Sequence, residues 1–276
     1  MNPLDEKIER LNRGLLEMES VVVAYSGGVD STLLLKAAHD LLGERAVAIT
    51  AVSASLPEYE LEEAVSIAAQ IGARLVRIES RETEDPRYLA NTPQRCFFCK
   101  SEVYDLIVDY ARREGFRFVI DGTNADDTGD HRPGRQAARE RGVRSPLVEA
   151  GLTKAEVREH ARRLGLPNWD KPAAACLSSR VPYGSTITTG ILGQVAQAEL
   201  ALRRLGFGQL RVRHHDQVAR IEVEAGDLAA VLAQREAISA ALKALGYVYV
   251  ALDLDGFRSG SLNETLGAGR KAAVEG

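Results

Sequence analysis

The stretch Val21–Leu35, VVVAYSGGVDSTLLL, constrains this chain more than any other. Val21, Val22, Val23 and Ala24 form a short apolar run rich in β-branching, the pattern of a strand buried on both faces. Leu33, Leu34, Ala37, Ala38 and Leu41 then recur at helical spacing as far as Gly43, a natural stop. Between them lies Ser26-Gly27-Gly28-Val29-Asp30-Ser31. The paired glycines let the backbone turn tightly and approach a ligand where a Cβ would collide. Amides and hydroxyls gathered at a helix N-terminus make an anion site, so the stretch reads as a phosphate loop. It lacks the Gly-Lys-Ser/Thr of a Walker loop and the third glycine of the dinucleotide fingerprint.

Alternation continues on both sides. Residues 1–19 read as an amphipathic helix with Ile8, Leu11, Leu15 and Met18 on one stripe. Ala46–Ser53 and Arg74–Ile78 read as strands around a helix that ends at Gly72, with Ser55 and Glu58 as its capping box. An irregular stretch, Arg81–Lys100, holds RCFFCK, and a helix follows with Val103, Ile107, Tyr110 and Ala111 inward. Phe118–Ile120 is a strand ending in Asp121-Gly122-Thr123-Asn124-Ala125-Asp126-Asp127. That polar burst falls where open α/β sheets bind ligands, so Asp121 and Gly122 are expected to face a nucleotide. Residues 129–144, with Arg132, Arg135, Arg139, Arg141 and Arg144, read as a mobile basic loop over the site. Ser145–Val148 reads as a fifth strand, and Thr153 with Glu156 caps a further helix. Such βαβ spacing demands a parallel, Rossmann-like sheet, an α/β fold. The proline-rich LPNWDKPAAACLSSRVPYG marks a boundary near residue 184. The expected domains are therefore 1–184, which binds the nucleotide, and 185–276, a smaller α+β domain of helix, two strands, one long helix and a strand.

Among 276 residues the net charge is −4 with pI near 5.8, which argues against holding nucleic acid by bulk electrostatics. No apolar run is long enough for a membrane span, and no signal-like N-terminus is present. The three cysteines make no disulfide framework, so a cytoplasmic home is expected. Cys96 and Cys99 form a C-x-x-C pair, and Cys176 stands far downstream. A thioredoxin-like pair would leave Cys176 without a role. A structural zinc site needs a fourth ligand, for which only a residue such as His131 is at hand. Inert buried thiols are a third reading. A [4Fe–4S] cluster on three thiolates, with one iron open, is the fourth and the one we favour.

The loop Ser26–Ser31 resembles the PP-loop of adenine-nucleotide α-hydrolase-like enzymes, SGGxDS. Together SGGVDST, DGTNADD, LTKAEVR, WDKPAAACLSSRVPYG, RVRHHDQVARIEV and GFRSGSLNE make nearly the whole chain similar to the LarE family of ATP-dependent sulfur transferases. The resemblance implies that ATP is cleaved at its α-phosphorus, with Ser26, Gly27, Gly28, Ser31 and Thr32 around its pyrophosphate and Asp30 positioning Mg²⁺. It implies adenylylation of the carboxylates of a small pyridinium mononucleotide, pyridinium-3,5-biscarboxylic acid mononucleotide, and their conversion to thiocarboxylates for a nickel-pincer cofactor. Cys176 matches the family's sulfur-bearing cysteine, which single-cysteine members sacrifice as dehydroalanine. The added Cys96 and Cys99 make the chain similar to the branch that relays sulfide from an external donor through a [4Fe–4S] cluster on Cys96, Cys99 and Cys176. The substrate's phosphate then needs an anchor. Arg211 and Arg213 alternate on a strand and share a face, with Arg180 as a third candidate, although a solvated strand face explains the same pattern. Glu199 and Glu222 match acidic positions of the family, metal-binding or structural, and His214 with His215 ends a strand. A homo-oligomer is expected. The competing readings are a tRNA-thiolating PP-loop enzyme, a non-catalytic scaffold, and an amidotransferase lacking its glutaminase.

Overall fold

The computed structural model describes residues 2–129, 133–172, 175–258 and 261–263. His131 and Arg132 lie outside the described residues. The chain divides into two compact units, one of residues 1–88 and 94–174, the other of 89–93 and 175–276.

In the first unit, helix α1 (Pro3–Met18), strand β1 (Val21–Ala24), helix α2 (Val29–Leu42), strand β2 (Ala46–Val52), helix α3 (Glu58–Ile71) and strand β3 (Leu75–Glu79) follow in order. A helical turn α4 (Pro86–Leu89) and helix α5 (Arg95–Arg113) precede strand β4 (Phe118–Asp121). Helix α6 (Pro133–Glu140), a helical turn α7 (Pro146–Glu149) and helix α8 (Lys154–Arg163) complete it. The four strands are parallel in the order β3-β2-β1-β4, with Val21 opposite Ala46 and Phe118. Successive side chains of β1 go to opposite sides. Val21 and Val23 join a core with α1, α2, α3 and α8, whereas Val22 joins Tyr104, Ile107 and Tyr110 of α5 and Ala137 and Ala138 of α6. Burial on both faces explains why β1 is apolar throughout.

Several sequence expectations are corrected. Residues 145–148 form no strand: Pro146 cannot donate to a ladder and instead opens α7, leaving a single parallel bridge between Ile120 and Arg144. RCFFCK is helical rather than irregular, because α5 begins at Arg95 and no Gly or Pro interrupts it. Half of the supposed basic loop is helix α6, which buries Ala137 and Ala138. The Ser55–Glu58 capping box does not form, since the Ser55 hydroxyl donates to Glu82 at 2.8 Å.

In the second unit, helix α9 (Thr189–Arg204), strands β5 (Leu210–His215) and β6 (Val218–Val223), helices α10 (Leu228–Ala233) and α11 (Arg235–Ala244) and strand β7 (Tyr249–Leu252) make a small α+β layer. Strands β5 and β6 run antiparallel, and β7 joins β6 in parallel. The single long helix expected here breaks at Gln234. Residues 89–93 belong to this unit because Asn91 donates its amide to the carbonyls of Val181, Pro182 and Ser185. Among the described residues no helix is long and apolar enough to cross a membrane.

Candidate active site

The loop after β1 is shaped by its glycines. Gly27 has φ +73°, and a Cβ on it would lie 2.8 Å from the Cβ of Ala64 on α3. The Ser31 hydroxyl donates to Gly28 O at 3.1 Å and accepts from Ser26 N at 3.3 Å, closing the loop on itself. Gly28 is the N-cap of α2 and supplies no side-chain cap, so among the described residues the first amides of this helix have no side-chain partner. Gly122, after β4, backs directly on this turn, and a Cβ there would stand 2.7 Å from Ser31 N.

Asp30 does not stand bare. Asn124 donates to its Oδ1 at 3.1 Å, and the Lys154 ammonium pairs with its Oδ2. Lys154 is the first residue of α8, held there by the Thr153–Glu156 capping box and by its own amide on Asp126 at 2.9 Å. The cation that a Walker lysine would supply from within the loop thus arrives from another element. In the sequence LTKAEVR stands out as a helix start and as one motif of the resemblance, with no role for Lys154. The capping box that places Lys154 at the first helical position was the available signal.

The Asp121 carboxylate is buried and engaged, by the Tyr104 hydroxyl at 3.0 Å, the Ser145 hydroxyl at 2.7 Å and Thr123 N at 3.1 Å. Burial and this carboxylate hold the Tyr104 phenol well above its ordinary range, so it remains a donor. Cys96 and Cys99 lie one helical turn apart on α5, the first exposed and the second half-buried. Cys176 belongs to the second unit, and none of the three cysteines forms a disulfide. Cys96 and Cys99 suit two positions of a soft-metal site, but among the described residues no three His, Cys, Asp or Glu side chains stand together as a metal-holding group.

In the second unit two buried arginines are each forked onto a glutamate. Arg180 meets Glu199 at 2.8 and 3.1 Å, and Arg213 meets Glu222 at 2.9 and 2.8 Å. Glu199 also accepts from Val212 N at 3.1 Å, and Arg213 donates to Ser179 O and to the Ser261 hydroxyl. Arg211, 7% exposed, has no hydrogen bond or ion pair among the described residues; its guanidinium lies 4.5 Å from the Phe257 ring. Burial, with Arg213 and Arg180 beside it, pushes its pKa down to about 10. Glu222 and Glu199 act on it only through their charge, so its donors remain suited to an anion. Burial lowers the pKa of His214 and of His215, and His214 Nδ1 lies 3.3 Å from the Tyr247 hydroxyl, so both rings favour the neutral form.

No family model matches the chain. It is 48% identical over 265 residues to an uncharacterised protein of Synechocystis sp., covering 95% of this chain and 99% of that one. It is 40% identical over 267 residues to the pyridinium-3,5-bisthiocarboxylic acid mononucleotide synthase of Lactiplantibacillus plantarum, covering 96% and 97%. A glutamine-hydrolysing GMP synthase of Aeropyrum pernix matches at 28% identity over 246 residues, 82% of this chain and 44% of that enzyme.

Proposed function

The chain belongs to the LarE family of PP-loop, ATP-dependent sulfurtransferases, and we propose that it adenylylates the carboxylates of pyridinium-3,5-biscarboxylic acid mononucleotide and converts them to thiocarboxylates for a nickel-pincer cofactor. The observation that carries this reading is the glycine-backed N-terminus of α2, uncapped by any side chain and supplied with a cation by Lys154.

A carboxylate resists sulfur nucleophiles because oxide would have to leave. Attack of a carboxylate oxygen on the α-phosphorus of ATP expels pyrophosphate and leaves an acyl adenylate, from which AMP departs readily. The amides of α2 and the hydroxyls of Ser26, Ser31 and Thr32 receive the pyrophosphate, and Lys154 turns from Asp30 to the phosphates. Magnesium, when bound, neutralises the leaving group, and Asp30 is the carboxylate freed to hold it. Asp121 acts on this site by fixing the end of β4, so that Gly122 lies against Ser31. Arg211 holds the substrate's phosphate, while Arg180 and Arg213 shape that pocket through their glutamates. Cys96, Cys99 and Cys176 are the residues that would hold a [4Fe–4S] cluster, which would supply hydrosulfide as the sulfur nucleophile. No observation favours tRNA as substrate: Arg135, Arg141 and Arg144 of the basic stretch are engaged with Asp127, Asp105 and Glu149.

Incubation with ATP, Mg²⁺ and the dicarboxylate should release pyrophosphate, and Asp30→Ala should abolish this while the circular dichroism spectrum stays unchanged. Steady formation of ADP by the wild type would refute the reading.

A further inference from the structure

The segment between α8 and Cys176 carries polar side chains that the reaction outlined above leaves unused. Asn168 is 3% exposed, and its amide nitrogen donates to Gly27 O and to Thr32 Oγ1, both at 2.9 Å. The Gly27 carbonyl only accepts, which fixes the nitrogen toward the loop. Among the described residues the Oδ1 atom is buried without a partner, a cost that the position bears for the sake of its donor end. The two acceptors bracket the phosphate loop: Gly27 is its left-handed residue, and Thr32 lies in the first turn of α2. Three residues on, Lys171 pairs with Glu60 at 2.6 Å and with Glu63 at 2.8 Å. Both glutamates lie on α3, the helix whose Ala64 fills the space beside Gly27. The loop is thus fastened at both of its ends by one residue, and the segment carrying that residue is fastened to the helix behind the loop.

We propose that Asn168 is a positioning residue that holds the phosphate loop in its anion-receiving form, with Lys171 anchoring the same segment to α3. The inference rests on the phosphate-loop reading above and adds to it how the loop is kept ready. A Gly-Gly turn samples many conformations unless it is tied, and ordering it at the moment of binding weakens the complex. Asn168 completes that ordering in advance. The effect falls on the part of the nucleotide that the loop receives, the β- and γ-phosphates, and not on a nucleotide that lacks them.

The test measures affinities of the full chain for inorganic pyrophosphate, Mg·ATP and AMP by calorimetry, well below the melting temperature of each variant. Asn168→Ala should weaken pyrophosphate and ATP by about tenfold, the loss of one or two hydrogen bonds, and leave AMP within about twofold. Its amides across residues 26–32 should exchange faster than those of the unliganded wild type. Lys171→Met should shift affinities in the same order by less. If Asn168→Ala does not fold, Asn168→Ser, which retains one donor, carries the same comparison. Unchanged pyrophosphate affinity would overturn the proposal, as would an equal loss for all three ligands. Failure of the wild type to bind pyrophosphate or ATP would overturn the phosphate-loop reading itself.

Discussion

Three arginines of the second unit differ in what surrounds them, and the difference sets what each does. Arg180 and Arg213 spend their forks on Glu199 and Glu222. Removing either arginine leaves a buried carboxylate alone, which costs about 3–5 kcal/mol, so Arg213→Ala should be a folding defect first. Among the described residues Arg211 has no such partner, and its guanidinium lies over the Phe257 ring. Its charge is opposed by burial and by its neighbours, which lower its pKa to about 10. The sign follows from that depression. The charged guanidinium sits at a cost to the empty fold, and a bound anion relieves the cost. Phosphate should therefore raise the melting temperature at pH 8. Arg211→Ala should raise the KM for the dicarboxylate with ATP affinity unchanged, by the ~1.5–3 kcal/mol of a charged hydrogen bond. An unchanged KM would return Arg211 to a structural role.

The carboxyl ends of β2 and β3 are joined by a side chain that no local pattern announces. Glu82 is 2% exposed, and it accepts from the Ser53, Ser55 and Ser80 hydroxyls with no cation among its described partners. Glu82→Ala strands those hydroxyls and should destabilise the first unit by about 1–3 kcal/mol, read from urea unfolding. A wild-type midpoint would mean that water replaces the carboxylate at no cost. Glu82 also shows why parts of the fold were legible and others not. Strands β1, β2 and β4 are set by runs of apolar residues, and β5 and β6 by apolar residues alternating with charged ones. Ser55 looked like a helix cap because its competing acceptor lies 27 residues away. Helix α6 looked like a loop because its two buried alanines gain their meaning only from the core shared with α5. The phosphate loop was legible because strand, turn and helix are contiguous. Lys154 and Asn168 were not, since their partners in the loop are 124 and 141 residues distant. The contrast between Arg211 and Arg213 was hidden for the same reason, because it depends on Glu222 meeting one and not the other.

At the scale of the whole chain the open matter is whether the protein survives its own reaction. Cys96 and Cys99 share one unit and Cys176 belongs to the other, so the three thiols are contributed by both halves of the molecule. If Cys176 is the sulfur donor, its thiolate attacks the acyl adenylate, AMP leaves, and cleavage of the Cβ–S bond gives one thiocarboxylate and a dehydroalanine. Each chain of 276 residues then makes one thiocarboxylate and is spent. In that scheme Cys96 and Cys99 have nothing to do, although their spacing of one helical turn on α5 suits a shared soft ligand. We therefore expect Cys176 to be retained and sulfur to come from outside the chain. After anaerobic reconstitution with iron and sulfide, the protein should be brown and should make several thiocarboxylates per chain when given ATP, Mg²⁺ and the dicarboxylate. Its intact mass should be unchanged at the end, and Cys96→Ala, Cys99→Ala and Cys176→Ala should each remove both the colour and the multiple turnovers. A protein that stops at one product per chain and emerges lighter by one H₂S, with the loss mapped to Cys176, would establish sacrifice instead. The same mass spectrum for Cys96→Ala and Cys99→Ala would then free both residues from any part in sulfur delivery.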